Sequence, residues 1–357
     1  MASTPGALPA ARRLKPPSPA ALQWLVPIGS IVVGLLAFGV FVALIGRDAL
    51  EVYATIFEGG FSSAFAWNNT LLRAAPLILT GLAVAIPAQA GLVVIGGEGA
   101  LALGALAASA VAVPMVAGVG EGPFALAVAA VAGMLAGAAW FGIAGYFRAY
   151  RGLNETISSL LLSYIAIAVF NHIVEGPLRD PASLNKPSTL PLAESAMIGP
   201  IPWLDVHWGL AIGMVACVIG QLALSRSTQG FALRIAGGNP RAAMLVGLPV
   251  GALIVAACAL GGASAGLAGA IEVMAVHGTA NASVLAGYGT TGILVAFMAR
   301  QQPLAVIPVA ILMGGISAAG SLLQRRLDMP DATTMVLQGL LFVAILAGDA
   351  FLPKDRR

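Results

Sequence analysis

Apolar stretches of about 20 residues recur along most of the chain, and their length limits what it can fold into. A helix needs roughly 20 apolar residues to cross the hydrocarbon layer of a bilayer. Charged residues make up only 9% of the chain, against about 25% in soluble domains. The sequence therefore predicts an all-α polytopic membrane protein with about ten transmembrane segments. These segments are 24–46, 70–90, 97–118, 124–147, 156–174, 207–225, 248–271, 283–299, 304–322 and 334–351.

The positions of lysine and arginine give the predicted orientation, because cytoplasmic loops of membrane proteins are enriched in them. With the N-terminus inside and the segments alternating, 12 of the 18 basic residues fall on the cytoplasmic side. These twelve are Arg12, Arg13, Lys15, Arg148, Arg151, Arg226, Arg234, Arg241, Arg300, Lys354, Arg356 and Arg357. The other six are Arg47, Arg73, Arg179, Lys186, Arg325 and Arg326. The sequence therefore predicts that both termini are cytoplasmic.

Parts of the chain depart from the pattern of simple spanning helices. We interpret 1–22, rich in alanine and proline, as a disordered cytoplasmic tail, 23–352 as the transmembrane domain, and 353–357 as a second cytoplasmic tail. Segment 48–68 mixes polar and apolar residues and is interpreted as an interfacial helix. Segment 283–299 is short and rich in glycine, which leaves spanning and re-entry both open.

Two loops between the predicted spans are long. The outer loop 176–206 contains six prolines, which predict a stiff, ordered loop rather than a helix. In the inner loop 226–247, Asn239 and Pro240 predict a turn followed by the start of a helix. This inner loop is the longest cytoplasmic segment between spans, so it is the natural place for a contact with another protein.

Motifs of catalysis and metal binding find little support. None of the three lysines follows a glycine, so no Gly-x-x-x-x-Gly-Lys phosphate loop is present, and His-Glu-x-x-His is absent. We interpret the histidines as polar side chains near the outer membrane surface and the two cysteines, alone in apolar runs, as small buried hydrophobic residues. They are His172, His207, His277, Cys217 and Cys258. We expect no catalytic residue, no metal site and no cofactor bound by this chain.

Glycine clusters interrupt the apolar pattern once in each half of the chain. Glycine-interrupted segments in both halves point to a transport pathway, since unwound backbone at membrane depth must be buried in protein or face a wet cavity. We predict that both clusters line a translocation path. The first cluster contributes Gly96, Gly97, Glu98 and Gly99, and the second contributes Gly287, Tyr288 and Gly289.

Glu98 is the most informative single residue, because a carboxylate within a membrane segment is costly and usually faces the interior of the bundle. One interpretation makes it a pathway or gating residue. The other makes it a cap that accepts hydrogen bonds from free N–H groups at a helix N-terminus. Both can hold together. Tyr288 can likewise either pack or contact a solute.

Four stretches in order give the chain a family resemblance. It resembles the permease subunits of bacterial ABC importers that carry ribose, nucleosides and branched-chain amino acids, and the nucleoside or simple-sugar subgroup in particular. Stretches 75–83 with 91–99 are similar to the subgroup's Pro-Leu-x-x-x-Gly-Leu and Asn-Ile-Gly-x-Glu-Gly-Gln signature, although Val94 and Ala100 replace the two amides. The other three stretches are 154–160, 231–243, and 287–296 with Pro303 and Gln338-Gly339.

The resemblance implies a division of labour among several chains. This chain would line the path for a nucleoside or sugar in the bacterial inner membrane. A separate ATPase subunit would bind and hydrolyse ATP, and a periplasmic or lipid-anchored binding protein would deliver the solute. A second, different permease chain would complete a heterodimer. Membrane lipid is an expected partner and nucleic acid is not.

The resemblance also implies that the inner loop couples this chain to the ATPase. The loop mixes basic and apolar side chains, which suits a short helix that docks into a groove on a partner. A solvated loop whose arginines meet anionic lipid headgroups is the alternative. The residues assigned to coupling are Phe231, Arg234, Gly237, Asn239 and Arg241.

Two other functions compete with this one. An ion-coupled secondary transporter would need intramembrane carboxylates to bind Na⁺ or a proton, and only Glu98 qualifies clearly, with Glu272 near a boundary. A structural subunit without a path of its own would not need the paired glycine clusters. Neither the composition nor the motifs name the solute.

Overall fold

A computed structural model describes residues 19–119 and 122–350, and their regular elements are helices. The α-helices are α1 (Pro19–Leu44), α2 (Ala49–Phe61), α3 (Ala64–Ala88), α4 (Gly97–Val119), α5 (Pro123–Arg151), α6 (Glu155–Glu175), α7 (Gly209–Arg226), α8 (Thr228–Gly238), α9 (Pro240–Leu245), α10 (Val250–Ile271), α11 (Tyr288–Met298), α12 (Pro303–Leu327) and α13 (Ala332–Ala350). Within these residues the only β pairings are isolated bridges. The all-α prediction is confirmed.

Several helices are long and apolar enough to cross a membrane. Among the described residues seven helices meet that requirement, or up to eight if the bent pair α1–α2 forms one span. The protein is therefore a polytopic helical membrane protein. The predicted segment 283–299 contains α11, whose 11 residues rise only about 16 Å against a hydrocarbon layer of about 30 Å. The prediction of ten transmembrane segments thus includes one helix too short to span alone.

The N-terminal region differs from the prediction in one respect. Helix α1 begins at Pro19, so residues 19–22 of the predicted disordered tail are helical. The rest of that tail and the predicted tail 353–357 lie outside the described residues. Helix α2 occupies part of the predicted interfacial segment 48–68 and turns by 117° from α1. Asp48 caps its first turn by accepting from the Leu50 N–H at 2.8 Å.

Helix α3 lies at the centre of the bundle. Its spanning window is 78% buried, more than that of any other spanning helix among the described residues. It packs against α7, α10, α11 and α12. Pro76 lies inside the helix, and Thr80 Oγ1 donates to the Pro76 carbonyl at 2.9 Å. Because α3 is surrounded by protein, the segments at its two ends are fixed relative to the rest of the bundle.

Small residues allow α4, α5 and α10 to pack with their backbones in contact. A Cβ on Gly104 would lie 2.2 Å from the Gly266 carbonyl oxygen, and one on Gly137 would lie 2.2 Å from that of Gly262. Only glycine allows two helix backbones to come this close. In lipid, where apolar burial gives little driving force, such close packing holds helices together. The stretch 262–266 also reads Gly-x-Ser-x-Gly, but Ser264 lies within α10 and donates to the Leu260 carbonyl, so it forms no nucleophile elbow.

The outer loop 176–206 has little helix, as its prolines predict. It contains one 3₁₀ turn, Glu194–Ala196, and pairs through one isolated bridge, Ser188 with Asn281, with the segment that precedes α11. The Thr189 N–H donates to the Ala280 carbonyl at 3.0 Å, and the Ala280 N–H donates to Thr189 Oγ1 at 2.9 Å. The loop therefore fixes the segment that precedes α11.

Candidate functional site

The two glycine clusters predicted from the sequence meet in the structure, and Glu98 joins them. Glu98 lies in the first turn of α4 and is 8% exposed. Its Oε1 accepts from the Gly287 N–H at 2.9 Å, and its Oε2 accepts from the Gly289 N–H at 2.6 Å. Both N–H groups lie at the start of α11. Glu98 therefore caps a helix N-terminus, and the helix is α11 rather than its own. We call this contact the Glu98 junction.

Glycine is required on both sides of the Glu98 junction. A Cβ on Gly289 would lie 2.0 Å from the Glu98 backbone nitrogen, and one on Gly97 would lie 3.2 Å from the Gly289 Cα. Gly287 has φ +80°, in the left-handed region that favours glycine. The spacing of residues 287–292 matches Gly-x-Gly-x-x-Gly, a pattern that binds anions at helix N-termini. Here the N–H groups at the helix start hold a carboxylate of the same chain in place of an external anion.

Hydroxyl groups of α6 hold the non-helical segment 92–96 that leads to Glu98. Thr156 Oγ1 donates to the Val93 carbonyl at 2.8 Å, and Ser159 Oγ accepts from the Ile95 N–H at 3.0 Å. Ser163 Oγ accepts from the Gly99 N–H at 2.9 Å. These three residues lie on one face of α6 at spacings of three and four. The spacing of these hydroxyl groups is visible in the sequence, but their pairing with the chain around Glu98 depends on the fold.

A cavity of about 490 Å³ lies beside the Glu98 junction and shares Tyr288 with it. Polar groups from α3, from the end of α10 and from the segment before α11 line it together with apolar side chains. We call it the Tyr288 cavity. Its lining residues are Asn69, Leu72, Arg73, Glu272, Ala275, Val276, His277, Ser283, Ala286 and Tyr288.

Glu272 is the most buried charged residue of the Tyr288 cavity. It begins the six-residue π-helical segment Glu272–His277 that follows α10, and its side chain is 2% exposed. Its Oε2 lies 3.6 Å from His277 Nε2, and its Oε1 has no hydrogen-bond partner among the described residues. The sequence placed Glu272 near a boundary and His277 at the outer surface. It did not indicate that they share a cavity with Arg73.

The residues assigned to coupling lie apart from the Glu98 junction, on α8 and α9. Arg234, Asn239 and Arg241 are exposed, and so is Phe231, at 59%. Asn239 Oδ1 caps α9 by accepting from the Ala242 N–H at 3.0 Å, which confirms the predicted helix start. Met244, Leu245 and Val246 add an exposed apolar end: their exposed fractions are 57%, 88% and 73%.

Gly237 connects the coupling helices to the segment that carries Glu98. A Cβ on Gly237 would lie 2.3 Å from the Gln89 carbonyl oxygen, in the turn between α3 and segment 92–96. Gln89 Nε2 also donates to the Gln301 carbonyl at 3.0 Å, just beyond α11. The turn after α3 is thus tied to the residues just beyond α11 and to α8.

Comparison with known proteins gives a family match over most of the chain. Residues 67–346 match the family described as branched-chain amino acid transport system / permease component. The chain is 31% identical over 348 residues to the glucose ABC transporter permease protein of Haloferax volcanii, covering 93% of this chain and 90% of that protein.

Two further relatives have the same kind of description. The chain is 30% identical over 332 residues to a guanosine ABC transporter permease protein of Bacillus subtilis, covering 90% of this chain and 92% of that protein. It is 24% identical over 328 residues to a probable riboflavin import permease protein of Treponema pallidum, covering 89% of this chain and 84% of that protein.

Proposed function

Because the chain belongs to the family of branched-chain amino acid transport system permease components, we propose that it conducts a nucleoside or a sugar along the Tyr288 cavity and past the Glu98 junction. It is the membrane subunit of an ATP-driven importer, a multi-pass protein of the cell membrane, and ATP is hydrolysed on separate subunits. Family membership removes the ion-coupled alternative. The substrate follows the relatives, whose descriptions name glucose and guanosine.

One observation supports the path above all others: the Glu98 junction joins the two broken segments next to a cavity lined in part by polar groups. Helix α11 starts inside the protein, and its free N–H groups are held by a carboxylate from the other half of the chain. A contact between two broken helices is a place where the path can open and close, because moving either helix changes the other.

For topology, we retain ten membrane-embedded segments with both termini cytoplasmic. In this arrangement α11 is a half-span that starts near the middle of the membrane and ends at the inner face. The outer loop 176–206 and the mouth of the Tyr288 cavity then face outwards, which suits delivery by a binding protein. Helices α8 and α9 face the cytoplasm, which suits contact with an ATPase.

The exposed helices α8 and α9 are the proposed docking surface for the ATPase. Arg234 and Arg241 supply positive charge, and Phe231, Met244 and Leu245 supply exposed apolar area. A short amphipathic helix with these groups fits a groove on a partner. A second permease chain completes the path, and we propose that it is a different polypeptide. The division into a cytoplasmic tail (1–22), a transmembrane domain (23–352) and a second cytoplasmic tail (353–357) remains part of this proposal.

Uptake by the complete importer tests the proposed function. The permease, its ATPase and its binding protein are reconstituted in liposomes, and the uptake of labelled guanosine and of labelled glucose is measured with and without ATP. Ala286→Trp should abolish ATP-driven uptake by filling the Tyr288 cavity. The matched control is Ala282→Trp, at an exposed position outside the cavity lining. Normal uptake by Ala286→Trp would place the path elsewhere.

A further inference from the structure

We propose that Glu272 is the specificity-determining residue of the Tyr288 cavity and binds the vicinal hydroxyl groups of a sugar ring. This inference rests on the proposed function and goes beyond it by naming the recognised group and the residue that recognises it. The group is a pair of hydroxyls on adjacent carbons of a neutral pentose or hexose, free or as part of a nucleoside.

The state of the Glu272 carboxylate points to a ligand that donates hydrogen bonds. Its Oε1 is buried and has no partner among the described residues, and a buried acceptor without a donor is costly. Its Oε2 lies 3.6 Å from His277 Nε2, beyond ordinary hydrogen-bond distance. Neither oxygen therefore makes a hydrogen bond with a described residue, although Oε2 lies within ion-pair range of His277. An ionised carboxylate can only accept, so its partner must supply O–H or N–H groups.

The positive charge of Arg73 favours a neutral ligand over a cationic one. Arg73 lines the same cavity as Glu272. Its positive charge would repel an ammonium group that approached Glu272, and the two formal charges cancel across the cavity. A neutral ligand with several hydroxyls suits both groups, because it can donate to the carboxylate and accept from the guanidinium.

Two adjacent hydroxyls match the two carboxylate oxygens. Each oxygen accepts one O–H, which gives a paired contact with a charged acceptor, stronger than a contact between neutral groups. Tyr288 provides an aromatic surface for the apolar face of the ring, and Asn69 provides an amide for a further hydroxyl. A cavity of about 490 Å³ is within the range that holds small polar metabolites.

Protection of a cavity thiol tests this inference directly. Ala286→Cys places a thiol at an exposed position in the lining, while the native Cys217 and Cys258 are fully buried. Right-side-out membrane vesicles containing the assembled importer are treated with a membrane-impermeant thiol reagent, and the labelling rate is measured. The probes are guanosine, glucose and 2′,3′-dideoxyguanosine, which keeps the base but lacks the diol.

We expect guanosine or glucose to slow labelling and 2′,3′-dideoxyguanosine to need at least about tenfold higher concentration for the same effect. Adding Glu272→Gln should remove that difference, while Glu194→Gln, at an exposed glutamate of the outer loop, should preserve it. The comparison of probes needs no change at position 272, so a misfolded variant does not affect it.

Several results would overturn the inference. They are equal protection by guanosine and its dideoxy analogue, protection by neither guanosine nor glucose, no labelling at all, and unchanged discrimination in Glu272→Gln. Uptake by the complete importer separates this failure from failure of the proposed function. If guanosine or glucose is imported while the labelling results contradict the diol contact, only this inference falls. If neither is imported, the proposed substrate class falls as well.

Discussion

Replacing Glu98 by alanine removes both acceptors at the start of α11. The Gly289 N–H is buried and would stay without a partner, whereas the half-buried Gly287 N–H could find water from the adjoining cavity. One unsatisfied buried donor costs about 1–3 kcal/mol, and a lost helix cap about 1 kcal/mol. The local cost of opening α11 should therefore fall by roughly 2–4 kcal/mol. Glu98→Gln keeps one acceptor oxygen and should lower the cost of opening α11 by about half as much.

Hydrogen exchange measured by mass spectrometry on the peptide 285–298 checks this magnitude. A loss of 2–4 kcal/mol corresponds to exchange about thirtyfold to several hundredfold faster for amides that exchange through local opening. Glu51→Ala serves as the control, because Glu51 is an exposed glutamate of α2. Exchange at the wild-type rate in Glu98→Ala would refute the cap.

Uptake by the same variants separates the two roles predicted for Glu98. We expect Glu98→Gln to insert and assemble normally and to transport more slowly, because it weakens the Glu98 junction, which we propose lies on the path. Near-normal uptake by Glu98→Gln, together with faster exchange in Glu98→Ala, would leave Glu98 as a cap alone. Normal transport by a well-expressed Glu98→Ala protein would contradict both roles and leave the glycine clusters as packing sites.

Three further predictions concern Gly237, the proposed coupling residues and the topology. Gly237→Ala should lower uptake severalfold while ATP hydrolysis persists, because its Cβ would meet the Gln89 carbonyl oxygen. Gly238→Ala is the control, since a Cβ at Gly238 would meet open space. Equal uptake by the two variants would exclude a functional link between α8 and the turn after α3. Charge reversal at both Arg234 and Arg241 to glutamate should release the ATPase in co-purification without affecting insertion, and normal co-purification would place the contact elsewhere. A reporter active only in the cytoplasm should be active when fused after Gly238 and silent within 182–195, and the reverse result would invert the topology.

The sequence predicted the components of the Glu98 junction but not the contact between them. Glycine clusters and an intramembrane carboxylate stand out in a single sequence, because each breaks a local pattern. That Glu98 would cap α11 could not be predicted, since the bonded residues are 189 and 191 positions apart and the contact depends on the fold. The two interpretations of Glu98 remained open for that reason.

The Tyr288 cavity was less accessible to sequence reasoning. Arg73, Glu272 and His277 are single polar residues near the ends of apolar runs, where polar side chains are ordinary. Only the packing of α3 against α10, which the π-helical segment follows, brings them together. The exact length of α11 was equally hidden, because glycine-rich apolar segments are compatible with a full span or a half-span.

The hydroxyl contacts of α6 make membrane thickness relevant to the Glu98 junction. Through Thr156 and Ser159 this helix holds segment 92–96, which leads to Glu98, and through Ser163 it holds the Gly99 N–H. Only 28% of its spanning window is buried within this chain, so much of its surface is available to lipid or to a second permease chain. A helix in contact with lipid tilts to match the thickness of the hydrocarbon layer. Any tilt of α6 would move segment 92–96 with it, so the lipid composition of the host membrane would act on the Glu98 junction.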